Sequence, residues 1–395
     1  MPDPIALPPL IPGLESLALV DHHCHGVVRR DLDRTGFELL LTEAGPARSA
    51  GPAGPLGGSA FDSQIGFAVR RWCAPVLDLE PHAAPDAYLE RRADLGHAEV
   101  TSRLLRAAGL AELCVDTGFE PEPLLTPDEL GRAAGGARSH EIVRLEQVAQ
   151  QVALGSTAAG FADAVRTELA RRARTAVGFK SVAAYRVGLD LAGERPTEEE
   201  VAAAAGRWLA DDTDSTDGVS STPRLADETL HRFLVWCGVD LGLPVQFHVG
   251  YGDADVDLDR CDPLLLTRLL RAIEPTGVPV LLLHNYPFHR QAGFLAQVFS
   301  NVFLDVGLAT HNLGRGSRAL IAEALELAPF GKFLYSSDAF GLPELYYLGA
   351  VLFRRGLSDF LRAGVDDGEW SPADADRVAA MIGSANARRV YRLAD

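Results

Sequence analysis

The chain has 395 residues, of which 47% are hydrophobic, so it is long enough to bury a large core. Its 37 basic and 54 acidic side chains give a net charge of −17, which argues against a nucleic-acid partner and against binding to a membrane surface. We find no secretion signal and no apolar run of the roughly 18–20 residues that a membrane span needs. The five cysteines are scattered without a CxxC pair. A soluble cytoplasmic protein is therefore expected.

Eight short apolar runs, alternating with polar loops and helical stretches, indicate parallel strands that are buried on both faces. The runs span residues 16–25, 112–119, 141–146, 175–182, 243–250, 278–285, 302–307 and 332–339. Helices are predicted at 161–174, 198–210, 225–241, 263–274, 316–328 and 345–363. This order predicts an α/β fold, namely a single (β/α)8 TIM barrel over residues 1–395, with a doubly wound sheet as the alternative.

Two segments interrupt the alternation of strands and helices. Residues 27–110 follow the first predicted strand and contain a loop at 44–60 that is rich in Gly, Pro and Ala. The stretches 66–75 and 86–109 within it are expected to be helical, and we interpret 27–110 as an inserted cap region. Residues 211–222 are polar and predict a flexible loop.

The first predicted strand ends in DHHCH, residues 21–25. Side chains alternate along a strand, so Asp21, His23 and His25 share one face, and His22 and Cys24 point the other way. Four further runs end in a lysine, a histidine or an aspartate, namely Lys180, His248, His284 and Asp338. Strand ends meet at one mouth in a barrel, and imidazole and carboxylate groups bind zinc and similar ions. The sequence therefore predicts one metal site.

This set of residues resembles the amidohydrolase superfamily of metal-dependent hydrolases. The stretches FHVGYGDADVDL, LYSSDAFGLPELYYLGA and IGSANARRVYRL are similar to its amidohydrolase-related branch. Within that branch, the chain resembles the hydrolase domains associated with glutamine-synthetase-like ligases, as in nodulin-type and fungal sporulation proteins. The resemblance implies two groups of metal ligands: His23, His25 and Asp338 for one ion, and His248 and His284 for a second.

The role of Lys180 stays open at this stage. In two-metal members of the superfamily, the matching lysine carries a CO2-derived carboxylate that bridges both ions. Single-metal members, which include decarboxylases, bind one ion through the His-x-His pair, the strand-five histidine and the aspartate, and they often lack this lysine. Lys180 is therefore expected to be a carboxylated bridge, a plain cation that holds a substrate anion, or a structural residue. The predicted cofactor is one or two divalent ions, with zinc preferred.

The expected chemistry follows from a bound divalent ion, which lowers the pKa of a bound water molecule toward neutrality. Asp338 would take the proton of that water and pass it to a leaving amine, and His284 would help to polarise the carbonyl group. We therefore predict hydrolysis of a C–N amide bond by metal-activated hydroxide. The alternatives are a single-metal, non-oxidative decarboxylase and a non-catalytic metal-binding or scaffold protein.

Several charged residues are candidates for binding a small-molecule substrate. The candidate carboxylate binders are Arg70, Arg144 and Arg186. Arg186 is preferred because it directly follows a predicted strand end. Asp253 and Asp255 are expected either to hold an ammonium group or to form a loop turn. His289 is expected either to touch substrate or to lie at the surface. With the resemblance, these groups predict a γ-glutamyl amide or a similar carboxylate-bearing amide.

Three further expectations concern neighbours of the site and of the protein. Glu146, at the end of the third predicted strand, is expected to orient a ligand imidazole. Barrels of this size often pair, so a homodimer is expected. The resemblance also implies a functional link to a glutamine-synthetase-like ligase.

Overall fold

The computed structural model describes residues 9–44, 58–211 and 224–394. Within these residues, seven parallel strands form one sheet whose order follows the chain. The strands are β1 (Leu19–Cys24), β2 (Leu110–Asp116), β3 (Arg138–Arg144), β4 (Gly178–Ser181), β5 (Val245–Val249), β6 (Val280–His284) and β7 (Val302–Leu304). Every residue of β1, β4, β5, β6 and β7 is buried, as expected for strands covered on both faces. The predicted parallel α/β fold is confirmed.

The segment 332–339, which the sequence predicts as an eighth strand, has no regular strand pairing. It forms one parallel bridge to β7, between Leu304 and Phe333. On its other side, the amide of Asp338 donates to the carbonyl of His23 in β1 at 3.0 Å. Asp338 itself has a left-handed backbone, with φ of 50°, which no regular strand tolerates. The structure therefore contains seven regular strands and one irregular segment that bonds to both β7 and β1.

Helices precede β1, separate the strands and follow β7. They are α1 (Pro12–Glu15), α2 (Arg34–Leu40), α3 (Gln64–Ala68), α4 (Ala74–Val76), α5 (Pro85–Ala108), α6 (Pro127–Ala133), α7 (Leu145–Ala153), α8 (Phe161–Arg172), α9 (Glu198–Asp211), α10 (Glu228–Asp240), α11 (Thr267–Ile273), α12 (His289–Val298), α13 (Gly307–Asn312), α14 (Ser317–Ala324), α15 (Pro343–Asp366), α16 (Pro372–Ala380) and α17 (Asn386–Tyr391). The helix predicted at 263–274 begins with a short 3-10 turn, Pro263–Leu266, before α11.

Local sequence explains where several of these helices begin and break. The Thr126 side chain caps α6 by accepting the amide of Glu129, and the Glu129 side chain accepts the amide of Thr126 in return. Asp227 caps α10 by accepting the amide of Leu230. The predicted helix at 86–109 is interrupted at Gly96, whose φ of 74° is a conformation that favours glycine.

The insertion after β1 is partly described. Residues 45–57 of its loop at 44–60 lie outside the described residues, as do residues 212–222 of the predicted flexible loop. Helix α5 of the insertion contacts α15 through a buried polar group. Tyr88 Oη and Arg92 Nε both donate to Glu344 Oε1, at 2.9 Å and 2.8 Å. The long helix of the insertion is thus fixed against α15.

No helix in residues 9–44, 58–211 and 224–394 combines the length and the apolar composition of a membrane span. The cytoplasmic location and the single domain over 1–395 stay predictions.

The contact between α5 and α15 leads to a stability prediction. The Arg92→Leu substitution leaves the buried Glu344 carboxylate without its cation, which typically costs about 3–5 kcal/mol of unfolding free energy. Urea denaturation should show this loss. The Arg91→Leu variant is the matched control, because Arg91 pairs with Asp78, whose side chain is 62% exposed, and little change is expected there. Equal losses in the two variants would contradict the prediction.

Candidate metal centre

Three predicted metal ligands meet where β1 approaches the segment 333–338. The ligand atoms of His23, His25 and Asp338 all lie within 4.8 Å of one another. Asp338 Oδ1 lies 3.0 Å from His23 Nε2 and 3.4 Å from His25 Nε2. All three side chains are buried. The structure therefore brings together the His-x-His pair and the aspartate that are far apart in the sequence.

The ends of β4, β5 and β6 add three more predicted residues. His284 Nδ1 lies 3.2 Å from Asp338 Oδ2, and the rings of His248 and His284 have centroids 4.5 Å apart. Lys180 Nζ lies 3.3 Å from His23 Nε2. All six residues predicted as metal ligands are thus neighbours, and their roles toward a metal stay predictions.

Two of these residues have an unfavourable backbone conformation. His284 and Asp338 have φ values of 70° and 50°, in the left-handed region that L-amino acids rarely adopt. Such residues cost on the order of 1–3 kcal/mol each and cluster at functional sites. Asp305 supports the first of them, because its Oδ1 atom accepts the amide of His284 at 2.8 Å. The fold therefore fixes the direction of both side chains against their backbone preference.

The electrostatics of the group favour neutral imidazoles beside an ionised carboxylate. Burial, together with the charge of Lys180, lowers the pKa of His23 to about 4 and lowers the pKa of His248 well below its usual range. Burial also lowers the pKa of His284 and brings the pKa of Lys180 to about 8. Burial opposes ionisation of Asp338, but the neighbouring histidines outweigh it and hold its pKa well below the usual range. Neutral imidazole and ionised carboxylate are the forms that bind metals.

Three of the donor atoms also lack hydrogen-bond partners among the described residues, which leaves them free to bind a divalent ion. Asp338 Oδ1, His284 Nδ1 and His248 Nε2 are buried, and none of them makes a hydrogen bond of acceptable geometry within the described chain. Buried polar atoms normally have such partners. Imidazole nitrogens and a carboxylate oxygen that converge without bonding one another are the donor set that zinc and related ions prefer.

His22 and Cys24 contact partners outside this group, but a register shift in β1 between Asp21 and Cys24 breaks the strict alternation that the sequence predicts, and the Asp21 carboxylate accepts from Ser337. His22 Nε2 lies 2.8 Å from Asp305 Oδ2, and His22 Nδ1 lies 3.0 Å from the hydroxyl of Tyr391. Cys24 is buried and its thiol donates to the carbonyl of Cys114. The opening motif is therefore divided between the candidate metal site and the core.

Glu146 does not orient a predicted ligand, so that expectation is wrong. Its Oε1 atom accepts hydrogen bonds from Ser181 Oγ and the amide of Val182, and it contacts His231 Nδ1 at 3.1 Å. The neighbour that does contact a predicted ligand is Asp116, whose carbonyl lies 3.2 Å from His25 Nδ1. Asp116 is the last residue of β2, and its position at a strand end could have identified it from the sequence as a neighbour of the site.

A cavity of about 210 Å³ adjoins the candidate metal centre. It is lined by Arg144, Arg186, Asp253 and Asp255 from the predicted substrate binders. Arg144 is already paired, because its Nε and Nη2 atoms donate to Asp116 Oδ2 at 3.1 Å and 2.6 Å. Arg186 has no carboxylate partner in the described part of the chain, and burial, followed by the nearby Arg224, lowers its pKa. Of the predicted cations, Arg186 is the one available to a ligand.

Asp253 and Asp255 make the contacts of a loop turn, which is one of the two alternatives that the sequence leaves open for them. Asp253 Oδ1 accepts the amide of Asp255 at 2.8 Å, and Asp255 Oδ2 accepts from Arg224 Nη1 at 2.7 Å. Both aspartates are exposed.

Two other candidates do not line the cavity. Arg70 donates to the carbonyl groups of Ala83 and His82. His289 is buried rather than at the surface, and its Nε2 atom lies 2.8 Å from Glu323 Oε2.

Three residues of this region escaped the sequence analysis. Tyr185 lines the cavity with its ring centroid 4.4 Å from that of His248, and its place next to Arg186 was a usable signal. Glu43 also lines the cavity, and burial, with Asp338 and Asp253 nearby, raises its pKa to about 8. Gly252 lies against Tyr185 Oη and His248 Nε2, 2.3 Å and 2.9 Å from where a Cβ atom would stand.

Comparison with known proteins identifies the family. Residues 115–393 match the family model described as Amidohydrolase. The chain is 34% identical over 227 residues to Protein fluG from Emericella nidulans, a match that covers 55% of this chain. That match spans 26% of the length of fluG, so the chain corresponds to about a quarter of that relative.

Solved structures support the same conclusion. A crystal structure from Lactobacillus casei ATCC 334, provisionally described as a metal-dependent hydrolase, shares 30% identity and a TM-score of 0.81 over 96% of both chains. A uronate isomerase from Thermotoga maritima has a TM-score of 0.60 at 12% identity over 96% of this chain and 95% of its own, a likeness of fold alone. With a family model that matches more than half of its residues, the chain belongs to the amidohydrolase family of enzymes.

Proposed function

We propose that this amidohydrolase cleaves a C–N amide bond in a small substrate that carries a carboxylate group. The observation that carries the proposal is the convergence of His23, His25 and Asp338 within 4.8 Å beside a cavity. Membership of the amidohydrolase family and the likeness to a protein described as a metal-dependent hydrolase support it. Zinc is the proposed metal, because imidazole and carboxylate groups are among its usual protein ligands.

Six residues would hold the metal. His23, His25 and Asp338 would bind one ion, and His248 and His284 would bind a second. Lys180 Nζ lies 3.3 Å from His23 Nε2, so a carboxylate formed on this nitrogen by CO2 would lie beside both groups of ligands. We propose this modification of Lys180 as the bridge.

The residues around the ion would carry the proton transfers. When bound, a divalent ion makes a water molecule more acidic and polarises a carbonyl oxygen. Asp338 is ionised, so it can accept the proton of the attacking water and return it to the leaving nitrogen. His284 Nδ1 lies 3.2 Å from Asp338 Oδ2, and Tyr185 lines the same cavity.

The cavity supports a small anionic substrate. Arg186 presents a guanidinium group without a carboxylate partner in the described chain, and guanidinium groups bind carboxylates through paired hydrogen bonds. A γ-glutamyl amide fits this requirement and is the specific substrate class that we propose.

We also propose that the segment 333–338 closes the sheet into a barrel by taking the place of an eighth strand. Its support is the bridge from Phe333 to Leu304 and the bonds from its far side to β1.

Metal content and product analysis test the proposed function. Wild-type protein purified without chelator should carry close to two divalent ions per chain, and the Lys180→Ala variant fewer. Incubation with γ-glutamyl amides should release ammonia or amine, and the Asp338→Asn variant should release none because the proton acceptor is lost. The His289→Asn variant is the matched control, since His289 is a buried histidine outside the cavity, and it should keep its metal.

Three outcomes would contradict parts of the proposal. One ion per chain in both wild type and the Lys180→Ala variant would remove the bridge. Release of CO2 in place of an amine would favour a decarboxylase. Absence of metal after reconstitution would remove the metal centre itself.

The crowding at Gly252 gives a second prediction. A methyl group there would press on Tyr185 Oη and His248 Nε2, so we expect the Gly252→Ala variant to lose activity on the order of 10- to 100-fold. Its thermal midpoint should change little, because the loop lies at the cavity rather than in the core. The Gly155→Ala variant is the control, since nothing lies within 4 Å of its added methyl group. Unchanged activity in the Gly252→Ala variant would refute the prediction.

A further inference from the structure

The cavity contains an acidic and a basic side chain, Glu43 and Arg186, that have no partner among the residues that the structure describes. Glu43 comes from the segment that follows β1, and Arg186 comes from the segment that follows β4. Neither side chain makes a hydrogen bond or an ion pair with any other residue that the structure describes, and the two do not pair with each other. Both are partly buried. A partly buried ionisable group without a partner is unfavourable, so two such groups of opposite type in one cavity indicate a ligand.

The other charged groups of the same cavity are already engaged. Arg144 is bound by Asp116, and Lys180 contacts His23. Asp255 is bound by Arg224 on the exposed rim. Asp253 accepts the backbone amide of Asp255. Within the described residues, Glu43 and Arg186 differ from these groups because neither has a hydrogen-bond or ion-pair partner.

The charged surroundings of the two groups differ. Glu43 faces the negative charges of Asp338 and Asp253, and these add to the effect of burial on its pKa. Burial and the positive charges of Arg224 and Arg144 lower the pKa of Arg186, although Glu146 and Asp255 raise it in part. A cationic group would offset the negative charge around Glu43, and an anionic group would stabilise the buried guanidinium of Arg186. A ligand with both charges would complement the cavity.

We propose that Glu43 and Arg186 recognise a zwitterionic head of the substrate, with Glu43 binding its ammonium group and Arg186 binding its carboxylate. The inference deepens the proposed amide hydrolysis and rests on it for the reaction. It assigns the ammonium site to Glu43 rather than to Asp253 or Asp255, because Glu43 is less exposed than either and has no partner in the described part of the chain. It also gives the insertion after β1 a role in choosing the substrate.

Binding of matched ligands tests this proposal without requiring turnover. The metal-loaded protein is titrated calorimetrically with L-glutamate and glutarate, and with L-aspartate and succinate, pairs that differ only in the amino group. Wild type should prefer at least one amino-bearing member by roughly 10- to 100-fold, as expected for a charge-assisted hydrogen bond. The Glu43→Gln variant should lose that preference while binding glutarate and succinate unchanged. The Arg186→Gln variant should weaken both members of a pair.

The Asp255→Asn variant is the matched control, because it removes a carboxylate from the same wall, and it should keep the wild-type preference. Equal affinities within both pairs in wild type would overturn the proposal. So would absence of measurable binding, or the same loss in the Glu43→Gln and Asp255→Asn variants. Hydrolysis of γ-glutamyl amides is measured separately. If the preference is present but no amine is released, zwitterion recognition stands and the proposed reaction fails.

Discussion

The candidate site depends on the backbone hydrogen bonds that join the segment 333–339 to β1. The amide of Asp338 donates to the carbonyl of His23 at 3.0 Å, and the amide of His25 donates to the carbonyl of Ala339 at 2.9 Å. Asp21 strengthens this junction from below, because its buried carboxylate accepts the amide and the hydroxyl of Ser337 at 2.9 Å and 2.6 Å. A shift of one residue in this pairing would turn the carboxylate of Asp338 away from the histidines.

The strands and the residues that converge at the candidate metal centre were predictable because their signals are local. The runs at 243–250 and 278–285 become β5 and β6 with boundaries that move by at most two residues. His248 and His284 lie at the ends of these runs, and parallel strand ends must meet at one edge of a sheet. The alternation of side chains was a weaker guide in β1, where a register shift between Asp21 and Cys24 interrupts it. The irregular pairing of 332–339 was not predictable, since it follows from the left-handed conformation of Asp338 and from tertiary contacts that leave no pattern in the sequence.

The substrate binders were less predictable because charge availability is a tertiary property. Arg144, Asp255 and His289 lie at strand ends or in the adjoining loops, which made them reasonable candidates. Their charges are nevertheless taken up by partners that the sequence does not associate with them; Glu323, for example, lies beside His289. Glu43 shows the reverse case, since it borders a loop rich in glycine and proline and carries no periodic signal. Its place in the cavity appears only when the chain is folded.

The overall charge of the protein places a further constraint on the substrate. A chain with a net charge of −17 repels anions at a distance, so a substrate with several negative charges would approach against the protein's own field. A zwitterionic head contributes no net charge and avoids most of this repulsion. Once inside, its two charges meet Glu43 and Arg186 at short range, where screening by solvent is weaker. The net charge of the ligand therefore governs its approach to the protein. The positions of its two separate charges govern its recognition inside the cavity.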